Sequence, residues 1–411
     1  MDGPRALVVR CRDSGAVAVS QLRPGLRRPI DRAQPMTKLV DLIAGARPNF
    51  MKVAPIIDAI EAARSHGSAL EYRLIHTGQH YDRAMSAAFF EQLGIPEPHL
   101  NLEVGSGTQA EQAAGIMVGY ERVLLDRRAD VCLVVGDVTS TMACAIAARK
   151  LLVPVAHVEG GLRSGDWTMP EEVNRVVTDS ITNWFFTTSV SAGEHLQRAG
   201  VAADCIFFVG NTMIDTLLKH MPRLRRPAFW DALSLRPGGY CVVTLHRPNN
   251  VDGEQHLLGL LTTIAGHTQG LPIVFPVHPR TAKSLSEIGG RTPGIHFVDP
   301  QGYLEFNYLV KHAMGVITDS GGVTEETTVM GVPCLTLRDN TERPETVALG
   351  TNELIGTDPA NLPPALERLM AGRWKTGRIP EKWDGKAAER IVAELERLLG
   401  IITPGVMSPP G

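Results

Sequence analysis

Two successive series of short apolar runs, separated by segments of helical spacing, constrain the fold of this chain more than any other feature. Runs such as 131-VCLVV-135 and 240-YCVVTL-245 are apolar at nearly every position. Strands of this kind are typical of parallel sheets that crossover helices cover on both faces. The sequence therefore predicts an α/β protein with two doubly wound, Rossmann-like domains and a cleft between them. The runs of the first series are 39–45, 74–78, 131–137, 153–159, 184–188 and 205–210, and those of the second are 240–246, 273–278, 295–299, 315–322 and 333–339.

The chain has 411 residues, more than one hydrophobic core usually serves, so we expect separate domains. Residues 1–35 contain seven arginines and only short apolar patches. We interpret them as a disordered or artefactual extension rather than a secretory signal, with a functional basic arm as the alternative. An N-terminal domain over 36–208 and a C-terminal domain over 209–383 are expected to follow, then a helix over 384–400 that packs back on the first domain.

Composition excludes several classes of function. The net charge of −3 gives no overall field for nucleic acid or an anionic membrane, and no apolar run approaches the length of a spanning helix. Six cysteines are scattered without a Cys-x-x-Cys pair. This spacing argues against a metal site and for buried free thiols in a reducing compartment. We therefore expect a cytoplasmic protein without metal.

Ligands of doubly wound sheets bind beyond the carboxyl ends of the strands, and the first strand ends in 45-GARPNFMK-52. Arg47 and Lys52 flank the expected start of a helix, where backbone N–H groups and two cations together suit a phosphate. Two solvated surface charges are the alternative. No Walker loop and no GxGxxG fingerprint accompanies them, so a dinucleotide cofactor is not expected.

Acidic residues follow two later strands of the first series. Asp137 comes after 131-VCLVVG-136, and Glu159 comes after 153-VPVAHV-158. Glu171 and Arg175 lie on the next helix. Each acid alone has an alternative interpretation as helix-terminus chemistry. Together they predict a cluster at one cleft, in which neighbouring carboxylates raise one another's pKa and suit acid–base chemistry.

The second series contributes a matching set at its own strand ends. His246 follows 240-YCVVTL-245, at the edge of the expected cleft. Ser320, Gly321 and Gly322 place backbone N–H groups at a helix start, which suits a diphosphate. Glu326, one turn later, is a candidate for ribose hydroxyls.

Three further side chains complete the candidate site. Arg343 lies in an Arg-Pro turn, Gln301 is suited to hydrogen bonds with a base edge, and Phe306 is suited to stacking on a base. Together with the preceding residues they predict a site for a nucleotide and the group that it carries.

Eight motifs, in this order along 38 to about 358, resemble those of the non-hydrolysing UDP-N-acetylglucosamine 2-epimerases: ARPNFMK, GDVTST, HVEGGLR, PEEVNR, TLHR, DPQGYLEF, TDSGGVTEE and RDNTERPE. The resemblance implies a fold like that of the GT-B glycosyltransferases, with a UDP-sugar in the cleft. It also implies elimination of UDP to 2-acetamidoglucal, followed by re-addition with inversion at carbon 2. The resemblance implies a homodimer and no cofactor.

By matching motifs, the resemblance gives Asp137, Glu159 and Glu171 the role of the family's catalytic carboxylates and His246 that of its catalytic histidine. Any of the three carboxylates could remove the proton at carbon 2. The residues that match UDP or substrate contacts are Arg47, Lys52, Arg175, Gln301, Phe306, Ser320, Gly321, Gly322, Glu326 and Arg343.

The chain departs from the family pattern at 79-QHYDRAM-85, at 246-HRPN-249 and near Gly115. These positions touch the region where some members bind a second UDP-N-acetylglucosamine as activator, so we expect activation to be weak or absent. The opening GARPN also resembles relatives that act on diacetamido-uronic acids or 6-deoxy-amino sugars. A GT-B glycosyltransferase, a hydrolysing epimerase and a UDP-sugar-binding regulator are weaker alternatives.

Overall fold

The computed structural model describes residues 37–45, 47–78, 90–277, 281, 285 and 292–401; the side chains of Arg47 and Pro48 are outside this description. The expected extension over 1–35 and the departure at 79–85 therefore lie outside the described residues. The expected domain boundary near 208 remains a proposal.

The first sheet has seven strands, all parallel, in the order β3-β2-β1-β4-β5-β6-β7. Its central strands are buried on both faces, which is why they read as continuous apolar runs. The strands are β1 Lys38–Ala44, β2 Leu70–His76, β3 Leu100–Asn101, β4 Val131–Val135, β5 Val155–Val158, β6 Trp184–Thr187 and β7 Ile206–Phe208.

The second sheet has six parallel strands in the order β10-β9-β8-β11-β12-β13. Two apolar clusters cover its faces, one of them built around Leu257, Ile264 and Leu366. The strands are β8 Cys241–Thr244, β9 Ile273–Pro276, β10 Ile295–Val298, β11 Gly315–Thr318, β12 Cys334–Thr336 and β13 Asn352–Leu354.

Within the described ranges, helices of defined bounds follow every strand that is succeeded by another except β2 and β9, and they cover both sheets. Three short 3₁₀ turns, Ala203–Cys205, Met221–Arg223 and Pro359–Asn361, accompany them. The helices are α1 Arg47–Ser65, α2 Gln109–Asp126, α3 Thr139–Lys150, α4 Pro170–Ile181, α5 Val190–Arg198, α6 Thr212–His220, α7 Pro248–Val251, α8 Glu254–His267, α9 Tyr303–His312, α10 Gly321–Met330, α11 Pro344–Ala348, α12 Leu362–Met370 and α13 Ala387–Leu398.

Each sheet has one point where the strand order reverses, and these points decide where a ligand can enter. In the first sheet the reversal lies between β1 and β4, and in the second it lies between β8 and β11. The connections leave such a pair of strands in opposite directions, so a crevice opens beyond their carboxyl ends. The residues after these four strands are therefore the first candidates for a site.

The last helix, α13, returns to the first sheet. Ile391, Val392 and Leu395 are buried in the cluster that also contains the apolar face of α1. Asp215 on α6 accepts hydrogen bonds from the N–H groups of Ala387 at 3.1 Å and Ala388 at 2.7 Å, which satisfies two donors at the start of α13. Helix α13 therefore packs on α1 and the first sheet.

The predicted fold class is confirmed by two parallel sheets with crossover helices. The prediction missed β3 and β13, which have two and three residues and lie at sheet edges without an apolar run. Four of the five cysteines in the described part of the chain are buried, and all five are free thiols. None of the described helices is long and apolar enough to cross a membrane.

Candidate active site

Three predicted residues from both sheets meet at one carboxylate. Glu159 Oε2 accepts hydrogen bonds from Lys52 Nζ at 2.7 Å and from Arg343 Nη2 at 2.9 Å. Glu159 follows β5, and Lys52 lies in α1 of the first sheet, whereas Arg343 precedes α11 beside the second sheet. All three side chains are largely buried, with Glu159 only 2% exposed. This ion-pair junction joins the two halves of the molecule.

The end of β1 holds Lys52 against the switch point of the first sheet. The Gly45 N–H donates to Asn49 Oδ1 at 3.3 Å, and Asn49 Nδ2 donates to the carbonyl of Val135 at 2.9 Å. Gly136 follows with a φ of +70°, and a Cβ there would lie 3.3 Å from Lys52 Nζ. Glycine thus meets both demands, a left-handed backbone and a close approach to the ammonium group.

Glu159 itself has a φ of +69°, although it is not a glycine. A non-glycine residue in this region costs about 1–3 kcal/mol and persists only where its surroundings impose it. Its N–H donates to the carbonyl of Phe186 at 2.9 Å, which extends the β5–β6 pairing, while its carboxylate is held by Lys52 and Arg343. The strained backbone aims the carboxylate away from the strand and into the junction.

Glu325, which the sequence did not single out, completes the junction. Arg343 Nε donates to Glu325 Oε1, and Asn211 Nδ2 donates to the same oxygen at 3.0 Å. Arg343 therefore contacts one carboxylate after β5 and one on α10. A guanidinium has donors for both at once, whereas an ammonium group on one stem does not reach two opposed carboxylates equally well.

The electrostatics of the junction differ from the prediction that clustered acids raise one another's pKa. Burial by itself raises the pKa of Glu159, but the cations of Lys52 and Arg343 outweigh burial and lower it. Burial also raises the pKa of Glu325, and there Arg343 does not fully offset it. The prediction was wrong for Glu159 because cations, not other acids, are its nearest charged neighbours.

Asp137 and Arg175 form a second ion pair beside the junction. Arg175 Nη2 lies 2.5 Å from Asp137 Oδ2, and Arg175 Nη1 lies 2.7 Å from Glu172 Oε2. Glu172 also accepts bonds from the Ser164 N–H at 2.9 Å and the Gly165 N–H at 3.1 Å, so it anchors the loop before α4. Arg175 and Asp137 are thus held in place by the acid next to the predicted one.

Glu171, the predicted acid, lies half-buried in the first turn of α4 and accepts no hydrogen bond from the described residues. Burial lowers the pKa of Arg247, which follows β8 of the second sheet, and the charge of Glu171 partly opposes that effect. The first turn of α3 begins after Val138 without a side-chain cap. Asp137 is therefore an ion-pair partner and not a helix cap.

His157 on β5 links the residues that follow β4 to helix α4. Its ring is fully buried, with Nε2 2.8 Å from the carbonyl of Gly136 and Nδ1 2.8 Å from Asp179 Oδ1. Burial raises the pKa of Asp179, but its bonds to His157 and Arg163 outweigh that effect and lower it. The histidine of the HVEGG motif therefore fixes the turn that carries Asp137, and Glu159 is the member of that motif which reaches the junction.

His246 and Asp319 form a pair at the switch point of the second sheet. His246 Nδ1 lies 2.9 Å from Asp319 Oδ1, and the histidine side chain is 43% exposed. Arg247 Nη1 contacts the sulfur of Met169, in the loop before α4, at 3.7 Å. His246 thus lies at a cleft edge that the first half of the molecule approaches.

The predicted Ser-Gly-Gly turn is the start of α10, and no described side chain caps its first turn. Ser320, Gly321 and Gly322 are all half-buried. Five residues into the helix Glu326 is buried, and Asn307 Nδ2 donates to its Oε1 at 3.3 Å. Burial raises the pKa of Glu326 to about 7. The same helix therefore carries uncapped backbone N–H groups at its start and, at Glu326, a buried acid with a raised pKa.

The remaining predicted residues lie in different settings. Gln301 Nε2 donates to the carbonyl of Asp299 at 2.7 Å, so its side chain is bound within its own turn. Phe306 is half-buried and packs against the apolar cluster beside α9. Arg47 begins α1, but its side chain lies outside the described residues. A Cβ on Gly115 would lie 3.0 Å from Val104, so α2 packs closely at that departure from the family pattern.

Three buried polar atoms near the junction lack a hydrogen-bond partner among the described residues: Glu159 Oε1, Arg175 Nε and Arg343 Nη1. Buried polar atoms in native proteins are almost always paired. One acceptor and two donors on residues from both halves therefore indicate that a polar ligand belongs here. No group of three metal-ligating side chains occurs within the described ranges.

Glu325, Glu172 and Asp319 are supporting acids that the predicted site did not include. Glu325 and Glu172 each neighbour the acid that was predicted, and consecutive residues on a helix point about 100° apart. Asp319 directly follows the apolar run 315-GVIT-318, the same strand-end signal that identified Asp137 and Glu159. That signal was available for Asp319, whereas the choice between adjacent glutamates depends on how the helices pack.

The arrangement can bind an anion and move a proton. Lys52 and Arg343 supply positive charge from both halves, and the carboxylate of Glu159 lies between them. Asp137 is paired with Arg175, and Asp319 holds the ring of His246 at the switch point of the second sheet. Cations that suit an anion and a carboxylate that suits proton transfer are therefore assembled at Glu159.

A protein-family model described as UDP-N-acetylglucosamine 2-epimerase matches residues 62–396. A UDP-N-acetylglucosamine 2-epimerase from Methanocaldococcus jannaschii is 40% identical over 364 residues, which cover 86% of this chain and 97% of the relative. A Pseudomonas aeruginosa UDP-2,3-diacetamido-2,3-dideoxy-D-glucuronate 2-epimerase is 38% identical over 317 residues, covering 76% of this chain and 87% of that protein.

Solved structures show the same architecture. The crystal structure of Methanocaldococcus jannaschii UDP-GlcNAc 2-epimerase in complex with UDP-GlcNAc and UDP has a TM-score of 0.78 and 40% sequence identity. The match covers 87% of this chain and 99% of that structure. The similarity therefore spans both sheets.

Proposed function

This chain belongs to the UDP-N-acetylglucosamine 2-epimerase family, and on that premise we propose that it interconverts UDP-N-acetylglucosamine and UDP-N-acetylmannosamine without hydrolysis. The observation that carries the proposal is the junction at Glu159. There Lys52 and Arg343 converge from the two halves, beside buried donors and an acceptor that no described residue satisfies. A diphosphate and its sugar supply the partners that this junction needs.

Substrate binding follows from the charges. We assign the diphosphate to Lys52, Arg343 and the uncapped start of α10, because cations and helix N–H groups both stabilise phosphate oxygens. The ribose hydroxyls are assigned to Glu326, and the base to the turn that carries Gln301 and Phe306. Arg47 belongs to the same phosphate set by its place at the start of α1.

Chemistry begins when a carboxylate removes the proton at carbon 2 and the bond from carbon 1 to the diphosphate oxygen breaks. UDP leaves, and 2-acetamidoglucal remains as the neutral product of elimination. A diphosphate that takes Lys52 or Arg343 from Glu159 removes part of the field that lowers the pKa of this acid. Substrate binding therefore makes Glu159 more basic at the moment a base is required.

UDP then adds back to carbon 1 on the face that it left, and a proton adds to carbon 2 from the face opposite to that of its removal, which completes the epimerisation. An acid must return this proton to carbon 2, and we assign that step to one of Asp137, Glu159 and Glu171. Contacts such as that of Arg247 with Met169 bring the two halves together above the site. A closed cleft retains the glucal and UDP and keeps water away from the intermediate.

The proposal extends to the assembly and the compartment. We propose a homodimer that works in the cytoplasm, where UDP-sugars are made and where its free thiols remain reduced. Sedimentation of the purified chain at micromolar concentration tests the dimer directly.

Product analysis separates the epimerase from its alternatives. Purified protein incubated with UDP-N-acetylglucosamine should give UDP-N-acetylmannosamine, resolved by anion-exchange chromatography, with no accumulating free sugar. Free N-acetylmannosamine together with UDP would instead identify a hydrolysing enzyme. Binding of UDP without any product from UDP-N-acetylglucosamine would contradict this substrate.

A modified UDP-sugar is the second candidate, and the 38% identity to the Pseudomonas diacetamido-uronate epimerase favours it over a glycosyltransferase. A sugar carboxylate at carbon 6 would need its own cation within the cleft. The two substrates compared at equal concentration decide the question. A kcat/KM for the diacetamido-uronate more than tenfold above that for UDP-N-acetylglucosamine would replace the first assignment.

Gly321→Ala should weaken UDP binding by roughly tenfold, which corresponds to about 1.4 kcal/mol. A Cβ at Gly321 would lie 2.8 Å from Glu342 Oε1 and would intrude at the start of α10, where the diphosphate is assigned. Calorimetric titration with UDP measures the change. Gly266→Ala on α8 is the matched control, because a Cβ there meets nothing within 4 Å. Equal UDP affinities in the two variants would contradict the assignment of the diphosphate to the start of α10.

Glu326→Gln should abolish a pH dependence of substrate affinity. The pKa of Glu326 is raised to about 7, and ribose hydroxyls donate best to its ionised form. Below that pKa binding must expel a proton, so affinity for UDP-N-acetylglucosamine should rise from pH 6 to pH 8 in the wild type. Calorimetric titrations at both pH values, with the variant as reference, isolate this residue. The same slope in both proteins would exclude Glu326 as the ribose partner.

A further inference from the structure

Asp319 is placed where a carboxylate has no access to water. It directly follows β11, the strand beside β8, and its side chain is 0% exposed. It accepts hydrogen bonds from the His246 N–H at 3.0 Å, the Arg247 N–H at 2.9 Å and Asn250 Nδ2 at 3.0 Å. Its remaining described contact is the one to the His246 ring, at 2.9 Å from Nδ1. One buried group thus holds both the backbone and the side chain of His246.

These contacts determine which ring nitrogen carries a proton. Asp319 is ionised, because burial raises its pKa but the bonds from His246 and Asn250 outweigh burial and lower it. An ionised carboxylate only accepts, so His246 Nδ1 must be an N–H donor. Nε2 then lies on the side of the ring away from Asp319.

The other charged groups around this pair are fixed as well. Arg247 Nε donates to the Asp319 carbonyl at 3.0 Å. Burial and the charge of Arg338 lower the pKa of Arg247, whereas Glu342 and Glu171 raise it. Asp319 contacts the His246 ring through Nδ1. A residue outside the predicted site therefore helps to orient this ring.

We propose that Asp319 is a positioning residue for the reaction, which holds His246 in the Nδ1–H form and presents Nε2 to the diphosphate of the substrate. This inference rests on the proposed function, because it takes His246 as the residue that contacts the leaving group. During elimination, Nε2 of the doubly protonated ring donates its proton to the leaving diphosphate oxygen, and it takes that proton back during re-addition, while Nδ1 stays bound to Asp319 in both steps. Loss of the carboxylate removes the acceptor that fixes the proton on Nδ1, so the other tautomer becomes accessible.

The first test does not depend on activity. Nuclear magnetic resonance of protein labelled with ¹⁵N-histidine reports the protonation of each ring nitrogen, and His246→Gln assigns the signal by its absence. The proposal expects a proton on Nδ1, either in the neutral ring or in the doubly protonated ring. A neutral ring with the proton on Nε2 would overturn it, whatever the enzyme is found to catalyse.

The second test measures whether Asp319 acts through His246. Asp319→Asn should lower kcat about 100-fold with KM changed less than threefold, and it should add less than threefold in a His246→Ala background. Asn250→Ser is the control, because it removes a contact to Asp319 and leaves the ring contact in place. Equal losses from Asp319→Asn in both backgrounds would make its role structural. If Asp319→Asn does not fold, the ring-nitrogen measurement alone decides.

Discussion

Glu159→Gln should lower kcat by about 10²–10⁴-fold, the largest catalytic effect that we expect from a single substitution. Glutamine keeps the shape of the side chain and its place between Lys52 and Arg343, but it neither takes nor returns a proton. UDP affinity should be retained or should rise, because the two cations lose a competing carboxylate. Initial rates of epimerisation and calorimetric titration with UDP separate the two effects.

Glu325→Gln is the matched control for that substitution. Glu325 is as buried as Glu159 and contacts the same guanidinium, but it lies on α10 beyond Arg343. Its loss should affect stability similarly and the rate far less. If both variants lose the same factor in kcat, the effect belongs to the ion-pair network and Glu159 is not the acid–base group.

Arg343→Ala should lower the free energy of unfolding by about 3–5 kcal/mol at pH 8, the largest stability effect that we expect. Arg343 contacts Glu159 and Glu325, and its removal leaves Glu325 buried with only the Asn211 amide among the described residues. The pKa of Glu325 is already raised and should rise further without the guanidinium. UDP binding should weaken as well, because a cation of the phosphate set is lost.

The pH dependence of this effect has a definite sign. A carboxyl group whose pKa is raised in the folded state favours folding at low pH, and that contribution is lost as pH rises through the folded pKa. The deficit of Arg343→Ala relative to the wild type should therefore be smaller at pH 5 than at pH 8, as measured by urea unfolding. Arg198→Ala, which removes an exposed pair with Glu194, should change stability little at either pH. A pH-independent deficit in Arg343→Ala would contradict the ion-pair account.

The fold could be predicted because buried parallel strands need apolar side chains on both faces. Eleven runs gave eleven strands, while β3 and β13 at the sheet edges are too short to leave a pattern. The strand-end rule also placed Lys52, Asp137, Glu159 and His246 near the switch points of their sheets. Strand order itself, which creates those switch points, is a matter of tertiary pairing that the runs do not encode.

The finer geometry of the site could not be predicted for physical reasons. Glu325 and Glu326 are adjacent on α10, yet one reaches Arg343 and the other reaches Asn307. Glu171 and Glu172 are likewise adjacent on α4, yet only Glu172 binds the loop at Ser164. The low pKa of Glu159 depends on Arg343, 184 residues away in the chain. Each of these distinctions depends on how elements pack, and local sequence carries no record of it.

If this protein is an epimerase, it breaks and re-forms the bond between carbon 2 of a UDP-sugar and its proton. Proton nuclear magnetic resonance of the purified chain with UDP-N-acetylglucosamine in heavy water detects this exchange. We expect UDP-N-acetylmannosamine to appear with deuterium at carbon 2, deuterium to enter the remaining UDP-N-acetylglucosamine, and no free sugar to accumulate. Epimerisation with the original proton retained at carbon 2, or UDP binding without any exchange, would contradict the account.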